Sequence, residues 1–244
     1  MTKKTGKTKN NGRKKGRKSM SCIVLASNNR KKIAEIETLL GDLTSQGTEV
    51  KSLRDIGYTD DIDEWGSVFE ENSLIKARVP ADLGYIGIAD DSGLAVDFLG
   101  GAPGIHSARY AGEHGNDARN REKLLLELKD VPEEQRGAKF VCTCALVLPE
   151  GSPYSIPEEW RITDVLSEKT GIPKERAMVV RGECRGVILE KEQGDGGFGY
   201  DPLFWYPEFG HTFAEIPGEM KNRVSHRGNA MGIFIPRLIK ILAR

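Results

Sequence analysis

Apolar and polar positions recur with two different periods along this chain, and the periods place its elements. Cys22–Ala26 is an unbroken apolar run, the pattern of a buried strand. Ser27–Asn29 reads as a turn. From Arg30 to Leu43 the apolar residues Ile33, Ile36, Leu39, Leu40 and Leu43 share one helical face, and Gly41-Asp42 marks its end. Ser67-x-x-Glu70 has the form of a capping box, so a second helix is expected from about Ser67 to Val79, stopped by Pro80. Tyr85–Ala89 reads as a short strand ending at Asp90-Asp91-Ser92-Gly93, and Leu94–Phe98 as another strand before the turn-rich Gly100–Gly104. Asp117–Leu128 is helical in pattern. Over Lys139–Leu148 the residues Phe140, Cys142, Cys144, Leu146 and Leu148 alternate, which predicts a long strand, and Met178–Glu190 is strand-like. Gly194–Pro202 is a glycine-rich loop. Gly228–Ala243 is a closing helix with Met231, Phe234, Leu238 and Ile241 as its apolar stripe. Glu150–Arg176 carries Pro153, Pro157 and Pro173 among Trp160, Ile162, Val165 and Leu166, and reads as an excursion with a short helix. Early alternation of strands and helices, followed by longer strands, predicts an α/β protein whose sheet is partly antiparallel.

Composition changes this picture at one end. The 244 residues, 38% hydrophobic and 30% charged, suit a globular chain with a real core. The formal charge balance of 36 basic and 36 acidic residues argues, on its face, against a nucleic-acid binder. It is uneven, however. Residues 1–20 hold nine basic residues and no acid, leaving 27 basic and 36 acidic residues, a net −9, in 21–244. With no apolar residue between Met1 and Met20, the tail has nothing to bury and is expected to be disordered. The apolar run after it is too short for the h-region of a signal peptide, and no stretch approaches the ~20 apolar residues of a membrane span. Four cysteines are too few for a disulfide scaffold at this length, and Cys142 and Cys144 fall on one strand face as buried reduced thiols, so a reducing cytoplasm is the expected setting.

Five segments carry candidate chemistry. Ser27-x-Asn29-x-x-Lys32 lies between a strand and a helix N-terminus, where unpaired N–H groups and the helix dipole favour an anion. With Asn28, Arg30 and Lys31 it reads either as a phosphate cradle or as an Asn-capped helix with solvated cations. Asp90-Asp91-Ser92-Gly93 places two carboxylates at the end of a strand, a usual place for a divalent cation, or else forms an Asp-rich turn. Asp60, Asp61, Asp63 and Glu64 precede Glu70, Glu71, Asn72 and Lys76; on a helix, Phe69, Asn72 and Lys76 share a narrow face beside an apolar anchor. Gly194-x-Gly196-x-x-Gly199 matches the dinucleotide fingerprint in form only, because the extended Tyr200-Asp201-Pro202 follows it where a helix is required. Phe198, Tyr200 and Asp201 in that loop better suit a pocket that stacks a flat base. Finally, Lys221, Ser225, His226 and Arg227 precede the last helix. Cations in a first helical turn are unfavourable unless an anion neutralises them.

In this order the segments resemble the inosine/xanthosine triphosphate pyrophosphatase (Ham1-like) family. The resemblance rests on Ala26–Lys32, Phe69–Asn72 with Lys76-Ala77, Ile88–Leu94, Pro103-Gly104 with Ser107–Tyr110, Phe198–Pro202 and Ser225–Gly228. It implies an elongated mixed β-sheet with flanking helices in two lobes, the active cleft between them, and a homodimer. It implies hydrolysis of ITP, dITP and XTP to the monophosphate and pyrophosphate with Mg²⁺, the alternative being a pyrophosphatase for other modified nucleotides. By motif, Asp91 would be the general base and lie near the metal. Glu64 would be the other metal-linked acid, with Glu71 as the competing assignment. Ser27, Asn28, Asn29, Arg30, Lys31, Lys32, Lys76 and Ser92 would hold the triphosphate. Phe198, Gly199, Tyr200, Asp201, Lys221, His226 and Arg227 would form the base pocket and its rim. Relative to the family, residues 150–178 read as an atypical insertion within the 21–244 domain. The tail 1–20 is a further departure, able to make weak non-specific contacts with nucleic acid, and Met20-Ser21-Cys22 resembles a usual family start.

Overall fold

The computed structural model describes residues 22–27, 36, 41, 48–113 and 115–243. The tail 1–20, the phosphate-cradle residues Asn28–Lys32 and most of the expected helix over 30–43 lie outside the described residues. Seven strands form one mixed sheet: β1 (Cys22–Leu25), β2 (Glu49–Ser52), β3 (Ile86–Val96), β4 (Gly137–Val147), β5 (Ala177–Ile188), β6 (Phe204–Tyr206) and β7 (His211–Thr212). Their order is β2-β1-β3-β4-β5-β6-β7, parallel across β2-β1-β3 and antiparallel from β3 onward. The α-helices whose spans are described pack around the sheet: α1 (Phe69–Asp82), α2 (Asp117–Glu127), α3 (Asp164–Thr170), α4 (Gly218–Val224) and α5 (His226–Leu242).

The strand period sorts the core into two faces. Ile86, Ile88, Cys142, Cys144, Met178 and Val180 pack under α5, against its stripe of Ala230, Met231, Phe234, Leu238 and Ile241. Val24, Ala89, Ala145, Val147 and Ala177 face the other way, toward Leu74, Ala77 and Ala81 of α1. A separate cluster gathers at the far end of the long strands. It contains Leu94, Phe140, Ile188, Phe204 and Phe213, with Leu124 and Leu128 from α2 and the segment after it. This is the mixed α/β sheet with flanking helices that the sequence led us to expect. The four cysteines are free, and Cys142 and Cys144 are buried on one face with their Sγ atoms 3.7 Å apart. Among the described residues no helix is long and apolar enough to cross a membrane.

Three expectations need correction. Asp90–Gly93 does not end a strand: β3 is continuous from Ile86 to Val96 and pairs with β4 from Gly87↔Val147 to Val96↔Ala138. The aspartates stay inside because each has a cation to answer its charge, which is what burial of a carboxylate requires. Helix α1 begins at Phe69 with Val68 as its N-cap, and Glu71 rather than Glu70 receives the Ser67 N–H. The same helix runs through Pro80 to Asp82. The proline falls in the last turn, so its missing N–H costs one bond rather than breaking the helix. The excursion at 150–178 contains the expected short helix, α3. Its Lys169 and Thr170 hold α1 through Glu71 (2.8 Å) and the Arg78 guanidinium (2.9 Å).

Candidate active site

Strand β3 outruns its parallel neighbour. Pairing with β1 stops at Leu25↔Ile88, and the Ala26 N–H still donates to Ile88 O at 2.7 Å. Ser27 therefore follows the last residue of β1 that pairs with β3, and Asp90–Ser92 lie on β3 beyond that pairing. Adjacent residues in a strand point to opposite faces, so Asp90 and Asp91 enter two different environments.

Asp91 faces α1. Lys76 donates to its Oδ1 at 2.9 Å and lies 3.2 Å from Glu64 Oε1. Burial opposes the charge on Lys76, but Asp91, Glu64 and Asp90 outweigh it and hold the ammonium above its ordinary pKa, so it stays cationic. Glu64 is placed by the turn that follows it. Asn72 Oδ1 accepts the Gly66 N–H at 2.8 Å, and Glu71 Oε2 accepts the Ser67 N–H at 2.6 Å and its hydroxyl at 3.0 Å. The start of α1 is in turn tied to β4, where the Thr143 hydroxyl donates to Phe69 O at 2.9 Å.

Asp90 faces α5. Its Oδ2 accepts from Ser92 Oγ at 2.8 Å and from Arg227 Nη2 at 3.3 Å, with both charged side chains almost fully buried. Arg227 also donates to Ser92 Oγ at 3.3 Å. This resolves the cation in the first turn of α5: its neutralising anion is Asp90. Ser225 caps that helix as expected, accepting the Gly228 N–H at 3.1 Å.

From Arg227 the site continues into the aromatic end. The Arg227 guanidinium lies 6.0 Å from the Phe198 ring centroid, and Lys221 Nζ lies 4.7 Å from the same ring. Lys221 and Asp201 form a buried pair at 2.6 Å, and Asp201 also accepts the Phe198 N–H at 2.8 Å. His226 stacks on Phe140, rings 4.8 Å apart and nearly parallel. Tyr200 is buried and donates its hydroxyl to Ser107 O at 2.9 Å. One strand segment thus joins Glu64, Lys76 and Asp91 to Ser92, Arg227, Phe198, Gly199, Asp201 and Lys221. Sequence reasoning named Asp90 only as half of a metal-binding pair. The cue to its separate role was the strand period, which sends neighbouring residues to opposite faces.

A divalent cation fits one place in this arrangement. Glu64 and Asp91 offer hard oxygen donors around a single ammonium, and Mg²⁺ is commonly held by one or two carboxylates plus substrate phosphate oxygens. Glu71 is committed to Ser67 and Lys169, which favours Glu64. Among the described residues no three His, Cys, Asp or Glu side chains cluster as a metal cage, so a cation here needs substrate oxygens to complete its shell.

A family model described as the Ham1 family matches residues 23–237. A dITP/XTP pyrophosphatase of Clostridium perfringens is 43% identical over 219 residues, covering 87% of this chain and 94% of that protein. The protein of the same description from Geobacillus kaustophilus is 46% identical over 213 residues, covering 87% and 91%. The structure of the Staphylococcus aureus Ham1 protein superposes with a TM-score of 0.72 at 35% identity, covering 89% of this chain and 98% of the other. A dITP/XTP pyrophosphatase from Mycobacterium abscessus superposes with a TM-score of 0.66 at 41% identity, covering 88% and 99%. With the family model spanning most of its length and relatives this similar along almost all of theirs, the chain belongs to the Ham1 family.

Proposed function

We propose that this protein hydrolyses ITP, dITP and XTP to the nucleoside monophosphate and pyrophosphate. The observation that carries the reading is the double-sided segment Asp90–Ser92. It joins an acid–cation centre on one face to a cation-lined aromatic pocket on the other, in a chain whose relatives are described as dITP/XTP pyrophosphatases.

Asp91 accepts the proton of a water whose oxygen attacks the α-phosphorus. Lys76 orients that carboxylate and meets the charge of the triphosphate, with Ser27, Asn28–Lys32 and Ser92 holding the rest of it. Glu64 and Asp91 would hold Mg²⁺, which when bound spreads the charge of the pyrophosphate leaving group. Phe198 covers the base. Lys221, His226 and Arg227 offer donors on the side of the 6-oxo group of hypoxanthine or xanthine, where adenine would bring an amine. A donor facing a donor leaves a buried polar group unpaired, and such a site rejects the wrong base more strongly than shape alone does. We take the working form to be a cytoplasmic homodimer.

A triphosphate panel with Mg²⁺, read by pyrophosphate release, tests this. ITP, dITP and XTP should be turned over well above ATP, and Asp91→Asn should lower turnover by about 10²-fold or more with the fold intact. Equal turnover of ATP and ITP would refute the base preference, and preference for a modified pyrimidine would favour the alternative substrate class.

A further inference from the structure

The base-pocket loop is held at a glycine in the left-handed conformation by a helix that the proposed chemistry does not use. Gly199 follows Phe198 directly and has φ +62°, a conformation that glycine adopts freely and other residues rarely do. A glycine here leaves both flanking peptide planes free to turn, and the Phe198 ring would turn with them. Two charged side chains of α2 fix both planes. The Gly199 N–H donates to Asp117 Oδ2 at 2.8 Å, and Arg121 Nη1 donates to Gly199 O at 2.9 Å.

Asp117 and Arg121 are four residues apart, so they stand one above the other on a single helical face. The N–H bond sets the rotation about φ and the C=O bond sets the rotation about ψ. The guanidinium is itself steadied, because Arg121 Nε donates to Glu192 Oε1 at 2.8 Å just before the loop. Asp117 is also the first residue of α2, where the helix dipole favours its charge. Both bonds to Gly199 are charge-assisted, the stronger class of hydrogen bond.

The geometry points to Asp117 and Arg121 as positioning residues that set base selectivity, by locking the Gly199 peptides and with them the pose of Phe198 against Lys221 and Arg227. The inference rests on the proposed pyrophosphatase reading. Both bonds end on the loop backbone at Gly199, so the clamp acts on which base is accepted rather than on bond cleavage.

The test compares Asp117→Ala, Arg121→Ala and Arg121→Lys with the unaltered protein in mixtures of ITP and ATP. The ratio of the two kcat/KM values cancels any loss of folded enzyme. The Ala variants should lower the ITP/ATP ratio by about tenfold or more, chiefly through KM for ITP, since small misplacements of a binding group are costly. Arg121→Lys, which keeps a cation of similar helix propensity, should recover part of the ratio. Ratios within about twofold of the unaltered protein overturn the inference, as does a loss shared equally by both nucleotides. IMP affinity by calorimetry separates this from the parent reading. If the unaltered protein shows no preference for ITP, the proposed function fails, and the clamp stands only if IMP binds about tenfold more weakly to both Ala variants.

Discussion

Gly182 tests whether the fold positions the site as argued. It lies in β5 opposite Cys142, on the face that α5 covers. A Cβ added there would sit 2.3 Å from Ala230 N, 2.4 Å from His226 O and 2.9 Å from Ala230 Cα. All three are backbone atoms of the first turns of α5, so no side-chain rotation relieves the overlap. To regain the 3.4 Å at which ordinary contact begins, α5 must back away by about 1 Å. Overpacking of this kind costs about 1–3 kcal/mol, and rigid backbone on one side puts Gly182→Ala near the top of that range. For a domain of this size that is a fall of roughly 6–12 °C in Tm. The same movement carries His226 and Arg227 away from β3, and the Arg227–Asp90 contact at 3.3 Å has little slack. A misplacement of about 1 Å is worth up to 10²-fold in kcat/KM. Gly232→Ala supplies the control. Gly232 is exposed inside the same helix, and nothing lies within 4 Å of the position an added methyl would take, so the substitution should stabilise by about 0.4–1 kcal/mol. Thermal melts and pyrophosphate release on the two variants decide the matter. A Gly182→Ala protein that melts within about 2 °C of the unaltered one and keeps its activity refutes the claim that close approach of α5 to β5 builds the site.

Asp90→Asn should be more damaging than its surroundings suggest, because it removes the negative charge paired with the buried Arg227 guanidinium. Removing one partner of a buried pair costs about 3–5 kcal/mol, read as a fall of roughly 6–20 °C in Tm; a change under about 2 °C would show that Arg227 has enough compensation elsewhere. Lys169→Met probes the link from α3 to the Glu64 turn. Burial raises the Glu71 carboxyl, but Lys169 and Ser67 outweigh it and hold it below its ordinary value of 4.5. A depressed folded pKa gives stability that is present above the unfolded value and lost as pH falls through the folded one. Because Lys169 is half exposed, the variant should lose only about 0.5–1 kcal/mol at pH 7 by urea titration. That difference should shrink as pH falls below 4.5. A pH-independent difference would mean that Lys169 acts through packing alone.

The sequence made the long strands legible because alternation is a local signal, and β4 and β5 fall within two residues of where Lys139–Leu148 and Met178–Glu190 place them. It misplaced the centre of β3 because four residues as polar as Asp90-Asp91-Ser92-Gly93 normally mark a chain leaving the core. What keeps them inside comes from 15 residues away for Lys76 and 137 for Arg227, beyond any window of local pattern. The Ser67–Glu71 contact was nearly legible: the right serine was identified, but the helix starts two residues later and so selects the next glutamate. Motifs named most of the site, yet none could show how its parts are divided. The clamp on Gly199 left no local trace, since in the sequence Asp117 and Arg121 are simply two positions of the helical pattern Asp117–Leu128.

The division of labour between the two aspartates follows from the sheet itself. Had they been two residues apart, strand geometry would have put both carboxylates on one face, where like charges at close range disfavour joint ionisation. Adjacent in sequence, they are separated by the thickness of the strand, and each meets its own cation: Lys76 from α1 on one side, Arg227 from α5 on the other. The α1 side brings Glu64, Asp91 and Lys76, suited to water and phosphate, and the α5 side brings the cation-lined aromatic pocket; the proposed reaction draws on both. Pairing of β1 with β3 ends at Leu25↔Ile88, so the two carboxylates diverge from β3 just beyond the last residues paired with β1.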